Sequence, residues 1–298
     1  MRAATTDEAA AKQRALRALP GVTVVETELT ERARLLSDLD GLHADALVSC
    51  IATRGGGPAD SWRVEYTANA NLLAAAGQTG AQHVTLLSAI CVQKPRLQFQ
   101  LAKARFEALL QDSGLGYSIV RPTAFFKSLS GQLERVRAGK PFLVFGSGTL
   151  TACKPISEGD LARFIRATLE DPALHNRILP IGGPGPALTP LDQVALLTDV
   201  LEREVPVRRV PSQLLRLAAG VLSVPAHMSS NMADKAEFAR IGHYYATESM
   251  LLWDASRKQY DADGTPEFGS DTLAQAYRAV LTGQSSQSLG EHSMFSRD

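Results

Sequence analysis

An α/β fold built on a parallel sheet is predicted by three observations. Short β-branched runs alternate with Ala/Leu-rich stretches of helical length. The run Asp45-Ala46-Leu47-Val48-Ser49-Cys50-Ile51-Ala52 is apolar on both faces, as a strand inside a parallel sheet must be. Two further runs, Val84-Thr85-Leu86-Leu87-Ser88 and Tyr117-Ser118-Ile119-Val120-Arg121, each follow a segment of helical length, so three βα units stand in a row.

The elements follow in order. Thr5 or Thr6 caps a helix running through Leu19, with Glu8 completing a capping box and Pro20-Gly21 ending it. Val22-Thr23-Val24-Val25 is a short strand. The strand over 45–52 runs into Thr53-Arg54-Gly55-Gly56-Gly57-Pro58, a loop, and a helix over 66–76 closes at Gly77 or Gly80. The stretch 99–110 is amphipathic and stops at Ser113-Gly114, and Pro122 terminates the strand after it. Ser157-Glu158-Gly159-Asp160 opens a helix to about 169, and 177–181 is a last strand before the turn Gly182-Gly183-Pro184-Gly185. Thr189-Pro190-Leu191-Asp192 places a cap, a proline at N1 and an acid at N3. This divides the chain into a sheet domain, 1–182, and a smaller, mostly helical lobe, 183–298, over the strand ends, with a frayed tail after Gly283.

Composition narrows the function classes. The 298 residues carry 31 Lys+Arg against 31 Asp+Glu, so no global field recruits nucleic acid. At 45% hydrophobic and 21% charged, the chain is not a disordered one. Cys50, Cys91 and Cys153 lie far apart, as free thiols of a reducing compartment do, and no metal site is expected. The N-terminus has no apolar signal region. The longest apolar run, near 214–224, contains Arg216 and falls short of the roughly 20 residues of a membrane span. A soluble cytoplasmic protein is expected, or a plastid one whose transit peptide is lost if the source is eukaryotic.

In an open parallel sheet, ligands bind beyond the carboxyl ends of the strands. That rule puts 52–57, 88–91 and 122–127 on one rim. A dinucleotide-binding sheet normally opens with a strand, a glycine-rich turn and a helix, yet no GxGxxG or GxxGxxG follows a strand here. Gly55–Gly57 lack the spacing, and a plain loop is favoured over a phosphate cradle by Pro58 and Asp60. The order of elements fits a doubly wound, Rossmann-like sheet that is N-terminally incomplete: 22–25 as its third strand, 45–52 as its fourth, and strands one and two absent. Roughly 50 to 60 residues of βαβ structure are expected to be missing upstream.

Phe99-Gln100-Leu101-Ala102-Lys103 is similar to the Tyr-x-x-x-Lys of short-chain dehydrogenases, whose i,i+4 spacing sets both side chains on one helix face. In that family the tyrosine protonates the developing alkoxide and the lysine holds the nicotinamide ribose. Phe99 has no proton to give, which argues against keto reduction. Reduction of a C=C bond conjugated to a large π system remains open, because the ring itself spreads the charge. The competing reading is a surface lysine beside a core phenylalanine. Ser88 reads equally as a strand-end cap or as a polar group near a nicotinamide. Phe125 and Phe126 suit either an apolar wall for a flat ligand or core packing. Lys127 and Lys154 suit either a substrate carboxylate or solvent. His243-Tyr244-Tyr245 reads as packing, since no second ligand motif accompanies it.

Longer strings carry a closer resemblance. Leu86-Leu87-Ser88-Ala89-Ile90-Cys91-Val92-Gln93-Lys94-Pro95, the stretch from Tyr117 to Leu129, Ala152-Cys153-Lys154-Pro155-Ile156-Ser157, the stretch from Leu179 to Gly185 and Tyr244-Tyr245-Ala246-Thr247-Glu248-Ser249-Met250-Leu251 resemble the divinyl chlorophyllide a 8-vinyl-reductases. These are atypical, NmrA-like short-chain dehydrogenases of chlorophyll and bacteriochlorophyll synthesis, and the similarity spans about 20 to 295. The resemblance implies NADPH as reductant and divinyl chlorophyllide or protochlorophyllide as substrate, with the 8-vinyl group becoming ethyl. It implies Lys103 as catalytic residue, and Ala52, Thr53, Ser88, Lys103, Pro122 and Thr123 at the cofactor. Phe99, Phe125, Phe126 and Lys127 are implied at the pigment. A non-catalytic dinucleotide sensor or pigment-carrying assembly protein of the same group is the alternative.

Overall fold

The computed structural model describes residues 6–223 and 229–283. Helices α1 (Thr6–Arg17) and α2 (Arg32–Asp38) precede the first strand, β1 (Ala46–Ser49). A single helical stretch then runs through α3 (Pro58–Ser61), a π-helical turn (Trp62–Ala68) and α4 (Asn69–Thr79). It ends at Gly80, whose φ of 80° lies where a side chain is strained. β2 (His83–Leu87), α5 (Gln98–Gln111) and β3 (Gly116–Pro122) complete the predicted series of βα units. The capping box expected at Thr5 and Glu8, and the tail after Gly283, lie outside the described side chains.

β1, β2, β3 and β5 (Arg177–Ile181) form one sheet in that order, every neighbour parallel. Its two faces are both covered. Val84, Leu86 and Ile119 pack with Ala76 of α4 and with Phe106 and Leu110 of α5. On the other face, Val120, Leu179 and Ile181 pack with Leu161 and Phe164 of α8 (Glu158–Glu170). Thr85 reaches the same helix through a 2.8 Å hydrogen bond to Thr168. This is a doubly wound arrangement, as predicted. The caps at Ser157 and Thr189 form as the sequence dictates, each hydroxyl accepting the backbone N–H three residues on, from Asp160 and Asp192.

Two expectations are corrected. Residues 22–25 form no strand, and Val22 and Val25 are exposed. A four-residue run becomes a strand only beside a partner ladder, and among the described residues β1 pairs on one side alone, with β2. The strand expected over 45–52 is correspondingly short, ending at Ser49, with no strand from Cys50 to Thr53.

A second core lies beside the sheet. It joins Phe126 of α6 (Phe126–Leu129), Leu133 and Val136 of α7 (Leu133–Arg137), Phe142 and Val144 of β4 (Phe142–Phe145), Leu197 of α9 (Pro190–Leu201) and Tyr277 of α12 (Leu273–Leu281). This core joins residues from 126–145 with residues after 183. β4 pairs with β6 (Val207–Val210), and β7 (Leu252–Asp254) with β8 (Gln259–Asp261). Helices α10 (Gln213–Ser223) and α11 (Ser230–Thr247) pack together, and α11 reaches the loop after β1. The backbone of Gly183 runs so close to the 154–155 segment that a Cβ there would fall 2.0 Å from the Pro155 carbonyl oxygen, so the turn after β5 requires glycine.

Candidate active site

The rim at the carboxyl ends of β1, β2 and β3 gathers most of the predicted residues. Lys103 projects from α5 and is 7% exposed, so it is no surface lysine. Its Nζ lies 2.7 Å from Oε2 of Glu65, which is itself 1% exposed. The second carboxylate oxygen of Glu65 accepts the Thr53 backbone N–H at 2.9 Å, and the Thr53 hydroxyl donates to Asp60 at 2.5 Å. Thr53 and Lys103, fifty positions apart in the chain, thus meet on one carboxylate.

Glu65 gets there through the π-helical turn. The wider turn leaves backbone carbonyls poorly matched to the usual partners four residues on. Asn69 takes them up: its amide donates to the carbonyls of Glu65 at 3.0 Å and Val64 at 3.4 Å, while its Oδ1 accepts from Ser49 of β1 at 2.6 Å. Asn69 therefore locks the turn to the strand end.

Ser88 at the end of β2 is 5% exposed, and its hydroxyl donates to the buried carboxylate of Glu107. Arg121 of β3 clamps the same carboxylate with two N–H groups, one of them Nε at 3.2 Å. Thr123 donates to the Lys154 carbonyl, and its N–H bonds the Ile181 carbonyl at 2.9 Å, tying β3 to β5. Pro122 is buried beside it, and Ala52 is exposed on the loop after β1.

Phe99 is half-buried against Ile90, Cys91, Leu97, Tyr244 and Met250, an apolar cluster where α11 meets the start of α5. Burial pushes the Cys91 thiol up to about 11. Phe125 and Phe126 diverge: Phe126 enters the second core, and Phe125 packs on the α8 side of the sheet. The structure does not bring them together as one wall. Lys127 is exposed, and Lys154 is buried in an ion pair with Glu267. Tyr244 is buried, and its hydroxyl reaches the Cys91 carbonyl at 3.4 Å. No group of three metal-ligating side chains occurs among the described residues.

The donor set fits the nicotinamide end of a dinucleotide. A lysine ammonium has three donors, and among the described residues one carboxylate, Glu65, lies within ion-pair distance of Lys103. The remaining donors suit a ribose diol. Gly55–Gly57 do not fit as a phosphate cradle. A Cβ on Gly57 would fall 2.3 Å from Asp234 Oδ1, and one on Gly56 would fall 2.6 Å from Ile241 Cδ1. The space above both glycines is filled by α11, with an aspartate that repels phosphate.

Glu65 and Glu107 were not legible as site residues. Glu65 sits just ahead of the expected helix in a turn whose period matches no standard pattern. Glu107 follows Lys103 at i+4, the spacing of an ordinary exposed helix pair, yet both are buried and serve different partners.

The chain matches an NAD(P)H-binding family over residues 3–172. It is 47% identical over 289 residues to the chloroplastic divinyl chlorophyllide a 8-vinyl-reductase of Arabidopsis thaliana, an alignment covering 94% of this chain and 69% of that protein. The corresponding protein of Cucumis sativus is 51% identical over 266 residues, 87% of this chain and 63% of the relative. The chain spans about two thirds of the length of these relatives. Among solved structures, an NADPH-dependent quinone oxidoreductase of Escherichia coli complexed with NADPH superposes with a TM-score of 0.64 at 19% identity, over 91% of this chain and 87% of that one. This last likeness shows the shared fold and nothing about substrate. Given the extent of the sequence identity, the chain belongs to the divinyl chlorophyllide a 8-vinyl-reductase family.

Proposed function

We propose that this chain reduces the 8-vinyl group of divinyl chlorophyllide to ethyl, with NADPH as reductant, and that protochlorophyllide is a second substrate. The observation that carries the reading is the buried Lys103–Glu65 pair on the strand rim, beside a half-buried phenylalanine where carbonyl reductases of this type hold a tyrosine.

NADPH, when bound, supplies the hydride. The chain's own residues do the rest. Glu65 holds the Lys103 ammonium in one position, so that its spare donors would hold the ribose hydroxyls of the cofactor without a search over rotamers. Thr53, Ala52, Ser88, Pro122 and Thr123 frame the same rim, with the hydroxyls of Ser88 and Thr123 already bonded within the protein. The cluster around Phe99 presents apolar surface to a flat pigment. Phe99 cannot protonate an oxyanion, and vinyl reduction on a conjugated macrocycle creates none, because the charge spreads over the ring until a proton arrives from water or from Lys103.

Among the described residues no helix is long and apolar enough to cross a membrane. The relatives are chloroplastic by name, and a plastid or bacterial cytoplasm is the compartment proposed for this protein. The test is spectroscopic. Mixed with NADPH and divinyl chlorophyllide, the protein shifts the Soret band to the blue as the vinyl group is lost. Pigment binding without that shift marks the alternative, a carrier or sensor of the same family, and overturns the reading.

A further inference from the structure

Three arginines converge on a cleft next to the candidate site, and nothing in the vinyl-reduction chemistry uses them. The cleft, about 200 Å³, is lined by Arg96 and Leu97 ahead of α5, by Arg216 and Ala219 of α10, and by Arg240, His243, Tyr244 and Thr247 of α11. We propose that this cleft is the specificity site for the free carboxylate of the tetrapyrrole, so that the protein takes the acid and discriminates against the esterified pigment. The proposal rests on the functional reading above and adds to it the residues that choose the substrate's acid form.

Charge comes first. Arg96, Arg216 and Arg240 line the cleft, and Lys94 shares Glu248 with Arg96, so four cations stand against two carboxylates, Glu248 and Glu237. Glu248 is consumed by Lys94 at 2.8 Å, Arg96 at 2.6 Å and Tyr260 at 2.5 Å, and Glu237 by Arg240 at 3.1 Å and the Gln98 N–H at 2.8 Å. Arg216 has no acidic partner among the described residues. The excess is cationic, and guanidinium groups recognise a carboxylate through paired N–H donors.

Size and place then select the ligand. A volume near 200 Å³ is below that of pockets enclosing a whole drug-sized molecule, which run from roughly 300 Å³ upward, so it admits a substituent, not a macrocycle or a nucleotide. Its wall is shared with the apolar site: Leu97 and Tyr244 line the cleft and also belong to the cluster that packs Phe99. An apolar surface with an anion cleft at its edge matches a flat pigment that carries one propionate arm. The other source of the same chemistry is a phosphate of the cofactor, and the experiment separates the two.

The full chain is titrated with divinyl chlorophyllide and with its propionate methyl ester, reading quenching of pigment fluorescence, and separately with NADPH, reading nicotinamide fluorescence. The free acid is expected to bind about tenfold more tightly than the ester, the scale of a charge-assisted hydrogen bond. Arg216→Gln and Arg240→Gln should each remove most of that preference by weakening the acid, with the ester's Kd changed less than about twofold. Arg216→Lys, which keeps the charge, should recover part of it, and far-UV circular dichroism verifies the fold of each variant. Equal affinity for acid and ester in the unaltered protein overturns the cleft assignment while leaving the reductase reading in place. Weakened NADPH binding in the glutamine variants with pigment affinity untouched assigns the cleft to a cofactor phosphate and also overturns it. Failure of the unaltered protein to bind either pigment overturns both the assignment and the reading beneath it.

Discussion

Lys103 Nζ and Glu65 Oε2 are 2.7 Å apart, with both side chains nearly sealed from water, so the rim of the sheet holds an ion pair that neither residue could sustain alone. Removing one partner of such a pair leaves a buried charge uncompensated, at a cost of about 3–5 kcal/mol. Glu65→Ala should therefore lower unfolding stability by that order in urea titrations, and it also strips the Thr53 N–H of its acceptor. The double variant Glu65→Leu with Lys103→Met should be far less destabilised than the sum of its single changes. Strict additivity would show that the two side chains do not act as a pair.

Glu107 is the pivot of a second buried network. Arg121 reaches it from β3 and Ser88 from the end of β2, so one helix carboxylate fixes two neighbouring strand ends. Arg121→Ala should cost about 3–5 kcal/mol, again by orphaning a buried charge. Ser88→Ala, which removes one of several donors, should cost about 1–3 kcal/mol. Denaturant midpoints measure both, and a smaller effect for arginine than for serine would contradict this ranking.

Acid should loosen the joint between α11 and the segment ahead of α5. Burial alone would raise the Glu248 carboxyl, but Lys94, Tyr260 and Arg96 outweigh it and hold the group below its ordinary value of 4.5. A carboxyl depressed in the folded state contributes stability that is fully present above its unfolded pKa and is lost as pH falls through the folded one. Melting temperature should therefore hold steady above about pH 5 and fall below about pH 4. Glu248→Gln should flatten that fall in part only, because Asp160 is held low in the same direction. There too burial acts to raise the group and is outweighed, by the Asp271 and Ser270 N–H groups and by Arg163.

What the sequence made legible, and what it did not, divides along a physical line. Strands β2, β3 and β5 and the helix caps at Ser157 and Thr189 follow from local signals, apolar runs and hydroxyl caps, and they stand where expected. Val22–Val25 carries the same local signal without forming a strand, because a strand is defined by its neighbour, and local pattern says nothing of that. Lys103 was found through its spacing from Phe99. Its partner Glu65 was not, since the π-helical turn that delivers it breaks the 3.6-residue period on which such reading depends. Phe125 and Phe126, adjacent in sequence, read equally as one apolar wall or as core packing, and the chain turns into α6 between them and sends them to different cores.

The three thiols should separate cleanly. Cys50 is exposed, whereas burial pushes Cys91 up to about 11 and Cys153 up to about 12. The thiolate is the reactive form, so a colorimetric thiol reagent at pH 8 should titrate one cysteine in the native protein and all three in guanidinium. Cys50→Ser should abolish the native signal. Rapid native labelling of Cys91 would show that the cluster around Phe99 opens readily.

Phe99→Tyr tests the chemistry most directly, because it rebuilds the aromatic-x-x-x-lysine spacing with a proton donor in place. If vinyl reduction needed a general acid at this position, the new hydroxyl would raise turnover. The proposed route has no oxyanion to protonate, so the hydroxyl brings no benefit. It enters a cluster of Ile90, Cys91, Leu97, Tyr244 and Met250, where an unpartnered hydroxyl costs about 1–3 kcal/mol. Stability should drop by that order and turnover on divinyl chlorophyllide should be unchanged or a few-fold lower, with no reduction of simple ketones gained. A tenfold rise in vinyl reduction would mean that a proton donor beside Lys103 limits the reaction, and that the macrocycle does not carry the charge unaided.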